Sequence, residues 1–176
     1  MEPRRLDELR PFNRRTVEAV RLSCSQLPEP LELTREFYRD LFQRVPAARD
    51  LFPADMAPQH ERLLSGILTA VRALDRPHLV EDSLRRWGVV HRRRHGITND
   101  LYPHVGHSLL HALKMLYPNM DTSLGSSWIA VYEWMAAVMI DGADRADLAD
   151  KKELSVARRS EFETDFSRVG AHRSAS

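Results

Sequence analysis

The sequence predicts an all-α fold of about seven helices joined by short connections. Apolar residues recur at spacings of three and four along almost the whole chain, which is the period of one helix face. No stretch alternates between apolar and polar residues, as a half-buried strand would. The 7 glycines are few for a β-rich fold full of tight turns. The 176 residues fit one domain with a full core and room for one cofactor.

Prolines delimit the first three helical segments. We expect Pro11 in the first turn of the first helix, and "PEP" at 28–30 ends that helix because proline cannot continue one. The second helix is "LELTREFYRDLFQRV", which Pro46 ends. A short helical piece, "AARDLF", then runs into Pro53.

Four longer helices are predicted next. "QHERLLSGILTAVRAL" is strongly amphipathic, and "RPHLVEDSLRRWGVVHRRRHG" ends near Gly96, a residue type that favours helix C-termini. "TNDLYPHVGHSLLHALKMLY" follows, with Thr98 or Asn99 as its expected cap. "SSWIAVYEWMAAVMIDG" is the last of the four, with Thr122 or Ser123 as its expected cap.

A change in composition near residue 144 suggests how the chain is organised. We expect a domain over residues 1–144, with 1–10 as a charged N-terminal extension, and a C-terminal extension over 145–176. In the latter, "DLADKKELSVARRSEFETDFSRV" can form one more amphipathic helix, and "GAHRSAS" is expected to fray. The helix could cover a dimer surface or fold back on the domain, so the sequence is compatible with a monomer or a homodimer. Its apolar residues are Leu148, Leu154, Phe162 and Phe166.

Charge and cysteine content argue against several classes of protein. The 26 basic and 25 acidic residues nearly balance, unlike a protein held on nucleic acid by neutralising phosphates. Cys24 has no second cysteine to pair with, which suits a reducing cytosol. The N-terminal residues do not read as a signal peptide, and no run of about 18 apolar residues is present. We therefore expect a cytoplasmic protein with no nucleic-acid or membrane partner.

The histidines are the candidate ligating residues. In "RRWGVVHRRRHGI", residues 85–97, His91 lies one turn after Trp87 on the same helix face. By spacing alone His91 is equally compatible with a solvent-facing residue in a basic run and with a ligand. A second set, at helical positions i, i+3 and i+7, has a spacing that can hold zinc or nickel but more often forms a solvated face. It comprises His104, His107 and His111.

Four stretches together resemble the haem-binding globins, most closely the bacterial single-domain globins and the globin domain of flavohaemoglobins. They occur in the family's order over roughly residues 16–142. The stretches are "FYRDLFQRVPAARDLFP", "QHERLLSGIL", "WGVVHRRRHGITNDLYPHVGHSLLHALKMLY" and "WIAVYEWMAAVMI".

The resemblance implies one haem b, with His91 as the proximal ligand of its iron and Trp87 on the same face of the helix. It implies that Tyr38 and Gln59 are the distal polar pair, which can donate hydrogen bonds to bound O₂. If the distal helix were rotated, His60 would face the iron instead.

The resemblance also assigns the surroundings of the haem. Phe52 and Leu63 are its apolar wall residues, and Tyr102 supports His91. A glutamate that assists this tyrosine in flavohaemoglobins falls on Ala143, with Asp141 and Asp144 near but out of register. Three arginines would flank the haem edge, either paired with a propionate or simply solvated. These are Arg92, Arg93 and Arg94.

The function that the resemblance implies is reversible binding of O₂, NO and CO. The reaction we expect is oxidation of nitric oxide to nitrate, with electrons from a separate reductase because too little chain follows residue 145 for a flavin domain. One alternative is a carrier, store or gas sensor without turnover. Others are a peroxide-using or substrate-oxidising haem enzyme and a haem-free metal protein built on His104, His107 and His111.

Overall fold

The computed structural model describes residues 3–171, with side chains described for residues 3–158. These residues form six α-helices and two short 3-10 helices and contain no strand, so the predicted all-α fold is confirmed. The 3-10 helices are Leu6–Glu8 and Pro46–Leu51. The α-helices are α1 (Arg14–Ser25), α2 (Pro30–Arg44), α3 (Ala57–Arg72), α4 (His78–His95), α5 (Leu101–Leu116) and α6 (Thr122–Ala171).

The ends of α1 and α4 are set by single residues. Gly96 ends α4 with a φ of 63°, a left-handed conformation that glycine adopts without steric cost, as its position predicts. The start of α1 differs from the prediction. The helix begins at Arg14, because the side chain of Asn13 accepts a hydrogen bond from the Thr16 N–H at 2.8 Å. Pro11 therefore lies before the helix rather than in its first turn.

The predicted caps of the last two helices are wrong. The α6 cap is Asp121, whose carboxylate accepts from the Leu124 N–H at 2.7 Å, and not Thr122 or Ser123. A carboxylate there also suits the positive end of the helix dipole. The helix α5 begins after Asp100, and Thr98 and Asn99 lie in the connection that precedes it.

The helix α6 runs without a break for 50 residues. The extra C-terminal helical segment is thus the continuation of the last long helix. The predicted frayed segment begins at residues 170–171, which lie within α6. The rest of that segment, 172–176, lies outside the described residues, as do the side chains of Phe162 and Phe166. Despite the length of α6, no helix in the described part of the chain is apolar enough over a sufficient length to cross a membrane.

The helices pack around one hydrophobic core. The helix α4 lies on α6, α2 lies on α5 and α3, and α1 lies on α6 and α3. The N-terminal residues join this core, since Phe12 meets Trp134 edge-on with ring centroids 5.5 Å apart. The most deeply buried side chains are Leu33, Leu84, Leu113, Val20, Val131, Val138, Thr34 and Ser108.

Two glycines allow α4 and α6 to approach closely. A Cβ built on Gly88 of α4 would lie 1.8 Å from the backbone oxygen of Met139, and one built on Gly142 would lie 2.5 Å from the Cα of Arg85. Only hydrogen atoms fit at these points, so the two backbones are in contact. This crossing fixes the position of α4 three residues before His91. It also keeps Gly142 inside α6, where the sequence alone favours a helix end.

Candidate functional site

Tyr38 lies in an aromatic cluster between α2, α3 and the second 3-10 helix. The tyrosine is buried, and its ring centroid is 4.8 Å from that of Phe37, 5.6 Å from that of Phe42 and 5.2 Å from that of Phe52. The contacts with Phe37 and Phe52 are edge-to-face, a geometry that favours one orientation of an aromatic ring. The cluster therefore holds the Tyr38 hydroxyl in one place.

The Tyr38 hydroxyl meets the side chain of Gln59, from the first turns of α3. The Gln59 amide Nε2 donates to the Tyr38 oxygen at 2.9 Å. Burial raises the pKa of Tyr38 to about 12, opposed by this hydrogen bond, so the phenol keeps its proton near neutral pH. Within the described residues the hydroxyl proton is donated to no acceptor. The predicted distal pair is thus brought together, with one donor free.

His60 faces a different part of α2. Its Nδ1 lies 3.1 Å from the Thr34 hydroxyl, which donates its own proton to the Leu31 carbonyl at 2.8 Å. Since that hydroxyl has one proton, His60 Nδ1 is the donor. The His60 ring contacts the Tyr38 ring at 5.3 Å between centroids, but Gln59 is the residue that meets the hydroxyl.

His91 offers a neutral imidazole in the last turns of α4. The side chain is half-buried, and within the described residues neither ring nitrogen makes a hydrogen bond. Burial lowers the pKa of His91, and the neighbouring His95, at 6.5 Å between ring centroids, lowers it further. A neutral imidazole with a free lone pair is the form that binds a metal ion.

The surface beside His91 is apolar but uncovered. Trp87 and Val90 precede His91 by no more than one helical turn. The two residues are 42 % and 38 % exposed. Across from them, α3 and α4 are not packed closely on each other within the described residues. The Trp87 ring reaches towards α3, 3.7 Å from a Cβ built on Gly66. An imidazole beside bare apolar surface fits a flat apolar group with a metal at its centre.

The remaining predicted pocket residues are placed as follows. Leu63 and Phe52 are partly buried and packed against the core. Tyr102, in the first turn of α5, is buried, and its backbone is held on both sides. Its N–H donates to the Asn99 carbonyl at 3.3 Å, and its carbonyl accepts from the Tyr132 hydroxyl at 2.5 Å.

Residues 35–139 match the family model described as globin. The chain belongs to the globin family. Membership of this family implies a haem cofactor, and the free imidazole and bare apolar surface of α4 suit one. Comparison with curated proteins gives no match.

Solved structures that are similar to this chain include two bacterial proteins and one from an animal. An engineered carbene transferase from Rhodothermus marinus, described as a candidate nitric oxide dioxygenase, is 26% identical, with a TM-score of 0.70, over 78% of this chain and 97% of that chain. A bacterial globin from Campylobacter jejuni is 23% identical, with a TM-score of 0.68, over 76% and 98%. A hexacoordinated haem protein from an anhydrobiotic tardigrade is 20% identical, with a TM-score of 0.64, over 76% and 96%. The last two matches show the fold alone.

Arg92 and Arg93, which were expected to pair with a propionate or to be solvated, instead make ion pairs with the globin's last helix, a feature that sequence reasoning missed. Arg92 Nη1 lies 2.7 Å from Asp144 Oδ1 and 2.6 Å from Asp147 Oδ2. Arg93 Nη2 lies 2.6 Å from Asp150 Oδ2. The one available signal was the recurrence of aspartate every three residues on α6. It begins at Asp141, which pairs with Arg85 at 3.1 Å.

The other histidine set shows no metal-binding geometry. Among the described residues, no three His, Cys, Asp or Glu side chains are grouped so as to hold a metal ion. His111 instead has Nδ1 3.9 Å from Asp40 Oδ1. Burial disfavours ionisation of Asp40, but the hydrogen bond and positive charge of Arg44 help to hold its pKa below the ordinary value. Asp40 is thus a stable anion beside His111.

Proposed function

We propose that this globin binds one haem b through His91 and reversibly binds O₂, NO and CO beside Tyr38 and Gln59. When bound, the haem supplies an iron that can bind diatomic gases and exchange single electrons. The hydrogen bond from Gln59 to the buried Tyr38 hydroxyl is the observation on which the proposal chiefly rests, because it leaves a phenol proton free to donate.

The distal polar residues provide hydrogen-bond donors, and the apolar residues around them limit the access of water. By donating to the Tyr38 oxygen, Gln59 polarises the phenol, which strengthens the hydrogen bond that its own proton can make. The raised pKa of Tyr38 keeps that proton in place. Phe52 and Leu63 contribute apolar surface, which keeps the local dielectric low and strengthens a hydrogen bond to a bound gas.

We further propose that the reaction is oxidation of nitric oxide to nitrate, with a separate reductase as electron donor. One NO, one O₂ and one electron give one nitrate ion, so atoms and charge balance. Support comes from the likeness to the Rhodothermus marinus protein, described as a candidate nitric oxide dioxygenase. A strong distal donor also favours retention of O₂ until nitric oxide arrives.

A second candidate function is that of a gas carrier or sensor. It is favoured by α6, which continues to Ala171 and is ion-paired to α4 directly after His91. The two functions differ in turnover. Sustained nitrate formation with a reductase and NADH supports the enzyme, whereas consumption of nitric oxide that stops after one equivalent per haem supports the carrier or sensor.

Substitution of Tyr38 tests the distal assignment. Loss of one hydrogen bond of about 1.5 kcal/mol should raise the O₂ dissociation rate of Tyr38→Phe about tenfold, measured by stopped-flow displacement with CO. Tyr117→Phe is the matched control, because it removes a phenol that donates to the Ser23 carbonyl of α1. An unchanged rate in Tyr38→Phe would remove Tyr38 from the distal site.

A further inference from the structure

Arg92 joins three parts of the molecule, namely α4, α6 and the connection that precedes α5. It follows His91 directly in α4, and its guanidinium pairs with Asp144 and Asp147 of α6. Its second terminal nitrogen donates to the Asn99 side-chain oxygen at 2.7 Å. With oxygen acceptors on both terminal nitrogens, the planar guanidinium is held in one orientation.

The same network reaches Tyr102. The Asn99 side chain accepts from Arg92, while its backbone carbonyl accepts from the Tyr102 N–H. The charges are also close enough to act on the phenol. Burial raises the pKa of Tyr102 to about 12, the positive charge of Arg92 lowers it and the negative charge of Asp144 raises it. Tyr102 is therefore within reach of both charges, and their balance depends on Arg92.

The cluster carries a net charge of −1, from one guanidinium and two carboxylates. The Arg92 side chain is partly shielded from solvent, at 23% exposed, and the Asp147 and Asp144 side chains are 39% and 51% exposed. Charges in such a setting act over longer distances than fully solvated ones. Loss of the guanidinium would leave −2, whereas loss of one carboxylate would leave 0.

We propose that Arg92 is a positioning residue that partly neutralises Asp144 and Asp147 close to Tyr102 and thereby sets the reduction potential of the haem held by His91. Nearby negative charge stabilises the oxidised iron, which carries the greater positive charge, and so lowers the potential. Arg92 limits that effect. The inference rests on the proposed ligation of iron by His91.

Opposite charge changes give opposite predictions. Arg92→Gln should lower the reduction potential, and Asp144→Asn or Asp147→Asn should raise it. Because the carboxylates are partly exposed, we expect a threefold to tenfold change in the reduction equilibrium. Tenfold corresponds to about 59 mV for a one-electron couple. Arg92→Lys, which retains the charge, should stay near the parent.

The matched control is Arg93→Gln. It removes an equal charge one residue further along α4 and breaks the pair with Asp150, whose members are 46% and 56% exposed. Because Arg93 is 46% exposed and Arg92 only 23%, solvent screens the charge of Arg93 more strongly. Its loss should therefore leave the reduction equilibrium within about twofold of that of the parent. A purely structural role for Arg92 predicts no such dependence on the sign of the charge.

The experiment is a spectroelectrochemical titration of haem-loaded parent and variants. Opposite shifts for Arg92→Gln and Asp144→Asn support the inference, and shifts of the same sign, or none, overturn it. If Arg92→Gln does not retain haem, the two aspartate variants decide, since unchanged potentials in both overturn it. Failure of the proposed ligation would instead appear in His91→Ala, whose absorption spectrum would match that of the haem-loaded parent.

Discussion

The close crossing of α4 and α6 should make Gly88 intolerant of even one added methyl group. The built Cβ lies 1.8 Å from the Met139 oxygen, 2.5 Å from its carbonyl carbon and 2.8 Å from its Cα. A carbon–oxygen contact needs about 3.3 Å, so the helices must separate by roughly 1.5 Å. No side chain can rotate away, because all three contacted atoms are backbone.

The expected cost follows from that displacement. Inserting a methyl group into a packed site costs about 1–3 kcal/mol, and a backbone clash belongs at the upper end. Alanine regains about 1 kcal/mol of helix propensity over glycine. Gly88→Ala should therefore destabilise the protein by about 2 kcal/mol, and the displacement of α4 should also weaken haem retention through His91.

Gly66→Ala is the matched control. The built Cβ at Gly66 meets the Trp87 ring at 3.7 Å and 3.8 Å, which is ordinary contact. This variant should gain up to about 1 kcal/mol from helix propensity. Urea unfolding followed by helical circular dichroism measures both, with and without haem. Equal stability of Gly88→Ala and the parent would refute the crossing described here.

Two further predictions concern helix capping and alkaline pH. Asp121→Ala should cost about 1 kcal/mol in urea unfolding and Asp121→Asn much less, and equal losses would contradict the cap. Burial raises the pKa of Tyr38 and Tyr102 from 10.0 to about 12, so above pH 10 the unfolded chain releases phenol protons that the folded chain keeps. The free energy of unfolding should then fall by up to about 3 kcal/mol per phenol as pH rises from 10 to 12. The fall should be less steep in Tyr38→Phe, and an equal slope in that variant would contradict the raised pKa of Tyr38.

Much of the fold was predictable because its signals are local. Stripes of apolar residues identify the helices, and Pro46 and Gly96 mark ends that the structure confirms. The cap of α6 was not predictable, because Asp121, Thr122 and Ser123 are adjacent and all are good capping residues. Only the three-dimensional arrangement shows that the carboxylate is the acceptor.

The continuity of α6 depends on tertiary contacts. A glycine at 142 followed by charged residues reads locally as a helix end. The structure places Gly142 against Arg85 of α4. The nearby Asp141 and Asp144 of α6 also pair with arginines of α4. These partners are separated by more than 50 residues, so no local pattern could pair them.

The site likewise has one part that the sequence indicated and one part that depends on tertiary contacts. The resemblance led to Tyr38 and Gln59 as a pair, and the structure places them in a hydrogen bond. The role of Arg92 was missed, because a run of three arginines resembles a solvated surface until the acidic face of α6 is placed beside it.

The most direct test of the central claim is the absorption spectrum of His91→Ala beside that of the parent, first ferric and then reduced under CO. His95→Ala, one turn further along α4, is the control for loss of an imidazole. The account predicts a Soret band in the parent and in His95→Ala that is lost or strongly shifted in His91→Ala. An unchanged band in His91→Ala, or no band in the parent after haemin is added, would contradict it.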